Sequence, residues 1–159
     1  ELEVSKLESK YIVLEIKIKF LKEVYIRDFA AYVISRMTRQ VKKTYCILPK
    51  NRCDECDFEK KCYYPYFIGN SNMRNGKNDI PDILMIDPFR TRVYKEHETK
   101  VFRAIFLKES AEKVPMFIYM LDKAGNGRKI NFVVEEVTTL DGKILFEHEH
   151  LYPKNIDEL

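Results

Sequence analysis

Tryptophan is absent from this chain, and histidine, glycine and proline are scarce, at three, five and six of 159 residues. No apolar run reaches the ~18 residues that a membrane-spanning helix needs. No N-terminal stretch combines a charged start, an apolar centre and a small-residue cleavage site. These absences favour the cytoplasm, where thiols stay reduced. No Walker-type phosphate loop and no serine in a nucleophile-elbow context occur. The carboxylates form no isolated pair in an apolar setting, so a catalytic carboxylate dyad has no support. No sign of charge dominates: 28 Lys and Arg face 25 Asp and Glu, for a net charge of +3. That balance permits a nucleic-acid partner without requiring one. The chain does not open on methionine, which is compatible with a trimmed chain or a fragment.

Apolar residues make up 45% of the chain, enough for a core, and Tyr and Phe number ten each. "YIVLEIKIKF" alternates, with Ile12, Leu14, Ile16, Ile18 and Phe20 on one side, which predicts a strand with one buried face. Ile26, Phe29, Ala30, Val33, Ile34, Met37 and Val41 recur at helical spacing and predict an amphipathic helix over 26–43. Its other face carries Arg36, Arg39, Lys42 and Lys43, gathered toward the C-terminal end where they complement the helix dipole. Residues 46–81 break every period and read as an insertion. "DILMID" and "KVFRAIFL" then read as strands joined by the polar, hairpin-like "RTRVYKEHETK". "VPMFIYMLDKAG" reads as a helix with Pro115 in its first turn and Gly125 as its C-terminal cap. Phe117, Ile118 and Leu121 are its expected inward residues. "KINFVVEEV" and "KILFEHEHLY" are predicted strands paired through the Asp-Gly turn of "LDGK". Strand, helix, insertion, two strands, helix and strand is the βαββαβ order of an α+β ferredoxin-like sandwich, with an extra C-terminal strand. It spans 1–159 as a single domain.

All four cysteines lie within 46–62: Cys46, Cys53, Cys56 and Cys62. A chain of this length does not need disulfide staples, and the expected compartment opposes them. A Cys-x2-Cys knuckle brings two thiolates to one ion within a tight turn, and two flanking cysteines complete a tetrahedron. Soft thiolates select zinc or an iron–sulfur cluster, and the spacing does not choose between them. Four protein ligands close the site, so the expected role is structural. Disulfides and free thiols are the alternatives.

His148 and His150 are expected on one side of a strand near the chain end, and His97 in a polar loop. Two residues apart, His148 and His150 are spaced to bind a metal or act on a phosphate; exposed polar positions are the plainer explanation for all three. "AGNGRK" joins a helix to a strand. Gly125 and Gly127 allow close backbone approach to a phosphate there, and Arg128 and Lys129 add charge. A helix cap and turn is the plainer explanation.

The charged strand, the basic helix, "CYYPYFIG" and above all "VPMFIYMLDKAGNGRKINFVVEEV" together resemble CRISPR-associated RAMP proteins that process CRISPR RNA precursors. The resemblance is strongest over Val114–Val137. It implies a ferredoxin-like, RNA-recognition-like fold, usually doubled, with this chain as the N-terminal domain. It implies CRISPR repeat RNA as partner, alongside other CRISPR-associated proteins, and metal-independent cleavage by ribose 2′-OH attack assisted by a general base and acid. The RNA-binding set is then Arg36, Arg39, Lys42, Lys43, Gly125, Gly127, Arg128 and Lys129. Many members place a catalytic histidine in or near the first helix, whereas Val24–Lys43 contains none. Tyr25, Tyr32 and Arg36 are the candidate substitutes. Two other functions compete: a non-catalytic RNA-binding or assembly subunit, and an unrelated metal- or cluster-binding interaction module.

Overall fold

The alternation of "YIVLEIKIKF" becomes β1 (Tyr11–Phe20), whose inward Leu14, Ile16, Ile18 and Phe20 are fully buried. The structure, a computed structural model, describes residues 11–46, 83–86 and 92–159. Short β2 (Val24–Ile26) follows, then α1 (Phe29–Tyr45). Next come β3 (Ile83–Ile86), β4 (Arg92–Tyr94) and β5 (Thr99–Leu107). A 3-10 segment at Lys108–Lys113 leads into α2 (Val114–Ala124). The chain ends with β6 (Phe132–Thr139), β7 (Ile144–Glu147), β8 (His150–Leu151) and the short α3 (Pro153–Asp157).

The main sheet runs β3-β5-β1-β6-β7-β8 and is antiparallel throughout. Its β3-β5-β1-β6 portion, with α1 and α2, is the ferredoxin-like βαββαβ unit. The fold class expected from the sequence is therefore the one observed. Both helices cover the same face. Phe29 of α1 meets Phe20, Phe102 and Phe132 at ring distances of 5.2–6.2 Å, and Phe117 of α2 meets Phe106 at 5.1 Å. Edge-on aromatic pairs of this kind add to the burial of their large apolar area.

α1 begins three residues later than its apolar spacing predicts. Ile26 belongs to β2, and Asp28, extended at φ −144°, caps the helix by accepting from Ala31 N at 3.1 Å. A carboxylate there satisfies an otherwise orphan N–H and stops the helix from starting earlier. β2 pairs with β4 as a separate two-stranded ribbon, which the polar hairpin reading missed. Tyr94 turns inward from that ribbon, 1% exposed, and stacks on Phe20 at 4.5 Å. Lys100 lies buried beneath it, donating to the Tyr94 hydroxyl at 2.6 Å, with its ammonium 5.1 Å from the Phe29 ring centre.

β6 changes phase midway. Phe132 and Val134 face inward, but Lys17 pairs with Glu136 and Ile18 with Val134, leaving Glu135 as an extra residue. This bulge turns Val137 inward, and the Glu135 carbonyl accepts from His148 N at 3.3 Å. "KILFEHEHLY" is two strands rather than one. His148 and Glu149 both take positive φ, 48° and 68°, and form the two-residue turn between β7 and β8. The two histidines thus do not share a strand side. The "LDG" loop is a three-residue hairpin in which only Gly142 is left-handed, at φ 93°. Gly125 is the C-terminal cap of α2, as its position suggests, and holds ordinary right-handed geometry, φ −73° and ψ −14°.

Candidate nucleic-acid interface

Tyr32, Arg36 and Arg39 recur at i, i+4 and i+7 along α1, flanking its buried row of Phe29, Val33, Met37 and Val41. The helical period puts them in one line facing the α2–β6 loop. Several hydrogen bonds hold that loop. Phe132 N–H donates to the Gly125 carbonyl at 2.9 Å, Gly127 N–H donates to the Ile130 carbonyl at 3.2 Å, and Lys22 Nζ donates to the Arg128 carbonyl. The result is a groove of about 590 Å³ whose charged walls are Arg36 and Arg39 on one side and Arg128 and Lys129 on the other. Ser35 and Asn126 add neutral polar groups.

At Gly127 the loop comes close to α1. A Cβ at this position would stand 3.2 Å from Arg36 Nη2 and 3.5 Å from the Tyr32 hydroxyl. Arg39, Arg128 and Lys129 are exposed and Arg36 is half-buried. Among the described residues, none of these four cations forms an ion pair. A concentration of unneutralised positive charge in one concavity raises the local concentration of anions and favours a polyanionic partner.

The structure brings five of the eight expected RNA-binding residues to this groove: Arg36, Arg39, Gly127, Arg128 and Lys129. Lys43 continues the Tyr32–Arg36–Arg39 line one turn beyond it, while Lys42 is half-buried in the last turn; neither lines the groove. Gly125 also stands outside. Its Cβ position is filled by Phe132, with the carbonyl oxygen at 2.3 Å and ring carbons at 2.8 Å, so this glycine admits a neighbouring strand. Of the catalytic candidates, Tyr32 and Arg36 line the groove and Tyr25 lines an adjoining one. No histidine lines either groove. Lys22, Ser35 and Asn126 went unnoticed in the sequence. Lys22 reaches a partner 106 positions away, so no local pattern marks it.

Cys46 follows α1, half-buried, with its N–H donating to the Lys42 carbonyl at 2.9 Å. Cys53, Cys56 and Cys62 lie outside the described residues, as does most of the 46–81 insertion. Among the described residues, no three His, Cys, Asp or Glu side chains gather as a metal site, and no helix is long and apolar enough to cross a membrane.

A ferredoxin-like domain with a cationic groove between its first helix and its α2–β6 loop defines the class of protein. The chain belongs to the AF_1859_N family, described as an N-terminal domain, whose model matches residues 9–156. No curated protein matches it. Among solved structures, the chain is similar in fold to a chain in the crystal structure of the Csm3-Csm4 subcomplex in the type III-A CRISPR-Cas interference complex. The identity is 13% and the TM-score 0.56, over 94% of this chain and 96% of that one.

Proposed function

We propose that this chain is an RNA-binding domain of a CRISPR-associated ribonucleoprotein, holding the RNA backbone in the groove between α1 and the α2–β6 loop. The observation that carries the proposal is the set of four cations, Arg36, Arg39, Arg128 and Lys129, converging from two elements with no ion-pair partner among the described residues. The fold shared with a chain of a CRISPR subcomplex supports the setting. Phosphates suit such a groove because guanidinium groups match them in charge and in geometry. The test is a titration of full-length protein with CRISPR repeat RNA at several salt concentrations. Four phosphate contacts predict a slope of about −2.8 in log K against log salt, from about −0.7 per contact for a single strand. Arg36→Gln with Arg39→Gln should reduce its magnitude by about 1.4. Binding that ignores both salt and this double substitution overturns the proposal.

A second function, cleavage of repeat RNA by 2′-OH attack, rests on one observation: the Tyr32 hydroxyl and the Arg36 guanidinium both stand beside Gly127 in the same groove. A phenol offers proton transfer, and a guanidinium stabilises charge developing on the phosphate. Products ending in 2′,3′-cyclic phosphate in the presence of a chelator, lost in Tyr32→Phe, would establish it. The same proposal includes a cytoplasmic location and a further domain in the intact protein. It also includes a structural zinc ion or iron–sulfur cluster held by Cys46, Cys53, Cys56 and Cys62.

A further inference from the structure

Beside the cationic groove lies a second one, about 700 Å³, of a different character. Its apolar walls are Val24 and Tyr25 of β2, Tyr32 of α1 and Ile130 of the loop before β6, with Arg27 and Lys129 adding charge. Its one carboxylate among the described residues, Asp28, is engaged as the cap of α1. Tyr32 and Lys129 line both grooves, so the two share a wall. Tyr25 is 65% exposed, more than any other large apolar side chain among the described residues, and its hydroxyl has no hydrogen-bond partner among them. It pairs directly with Val93, itself 49% exposed, across the β2–β4 ribbon. Directly opposed residues project to the same face of a ribbon. An exposed ring supported by an apolar neighbour is what a stacking platform requires.

Resting on the RNA-binding function proposed above, we infer that the two grooves form one composite nucleotide site. Arg36, Arg39 and Arg128 hold phosphate, and Tyr25 stacks on a nucleobase next along the strand. Tyr25 is then a recognition residue and not an acid or base. The consequence is selection for unpaired RNA. A duplex presents phosphates to the first groove but keeps its bases inside the helix, away from Tyr25.

The test is fluorescence anisotropy of the full chain with a short labelled oligouridylate and with a blunt RNA duplex. Wild type should bind the single strand more tightly. Tyr25→Leu should weaken single-strand binding by roughly 5- to 150-fold, the range expected for losing one base–aromatic stack, with the salt slope and the duplex affinity unchanged. Tyr25→Phe should keep near-wild-type affinity. If Tyr25→Leu binds the single strand as wild type does while Arg36→Gln with Arg39→Gln weakens it, the stacking role is overturned and the backbone-binding function stands. If the wild type binds neither RNA at low salt, both are overturned.

Discussion

Substituting Gly125 by alanine separates two opposite expectations. Its backbone, φ −73° and ψ −14°, suits any residue. On conformational grounds alone, Gly125→Ala should therefore stabilise the protein by about 0.4–1 kcal/mol, by reducing the freedom of the unfolded chain. The surroundings argue the reverse. The new methyl would stand 2.3 Å from the Phe132 carbonyl oxygen and 2.8 Å from two carbons of its ring. Neither can withdraw easily. The Phe132 N–H is bonded to the Gly125 carbonyl at 2.9 Å, and the ring lies 6.2 Å from Phe20 and 6.1 Å from Phe29. Overpacking of this kind costs about 1–3 kcal/mol, and a weakened hydrogen bond adds about 1 kcal/mol. Set against the conformational gain, the expected net loss is about 1–3.5 kcal/mol, a large part of a typical domain's 5–15 kcal/mol. Urea denaturation of wild type and variant, compared at constant slope, measures it. Gly142→Ala is the control: it meets nothing within 4 Å and pays only for its φ of 93°, so Asn should replace it more easily than Ala does. A Gly125→Ala protein as stable as wild type would refute the reasoning.

Tyr94→Phe removes the hydroxyl that Lys100 Nζ meets at 2.6 Å in the core, and should destabilise the fold by about 1–3 kcal/mol in the same denaturation assay. Pairing it with Lys100→Met should recover part of the loss, because both polar partners are then gone. The Thr139 hydroxyl, bonded to the Asp141 carboxylate, is the main cause holding that carboxyl below its ordinary 3.8, with Lys143 assisting. A folded-state value below the unfolded one contributes stability above the unfolded value and loses it as pH falls through the folded value. Thr139→Val should raise the Asp141 titration midpoint toward 3.8, read by NMR of the side-chain carboxyl; an unmoved midpoint contradicts the assignment. Cys56→Ser should lower the metal content of purified protein by mass spectrometry, whereas undiminished metal is incompatible with a four-thiolate site.

Much of the scaffold was legible because long, strongly periodic segments leave little choice. β1 alternates over ten residues, and α1 carries its buried residues at helical spacing over more than three turns. The misses have local causes. Ile26 fits the helical spacing as well as it fits a strand, and only Asp28 marked the true start. β2 and β4 are three residues each, too short to show a period, and exist because each pairs with the other. The turn at His148 and Glu149 contains neither Gly nor Asn, the residues that ordinarily announce positive φ. Of the interface, the sequence displayed the cations of α1 and the residues of "AGNGRK". It did not display their approach to one another, which depends on how α1 and α2 pack. It also suggested one purpose for both glycines, whereas Gly127 sits in the groove and Gly125 admits a strand.

The groove has a property that follows from its two walls. One belongs to the first strand–helix unit of the chain and the other to the last helix–strand unit, so neither half can form it alone. Whatever occupies it bridges the halves and acts as a clasp on the whole domain. Occupancy at a hundred times the dissociation constant would raise the unfolding free energy by about 2.7 kcal/mol. The melting temperature of this domain is therefore a reporter of what its groove holds, open to polyanions for which no other assay yet exists.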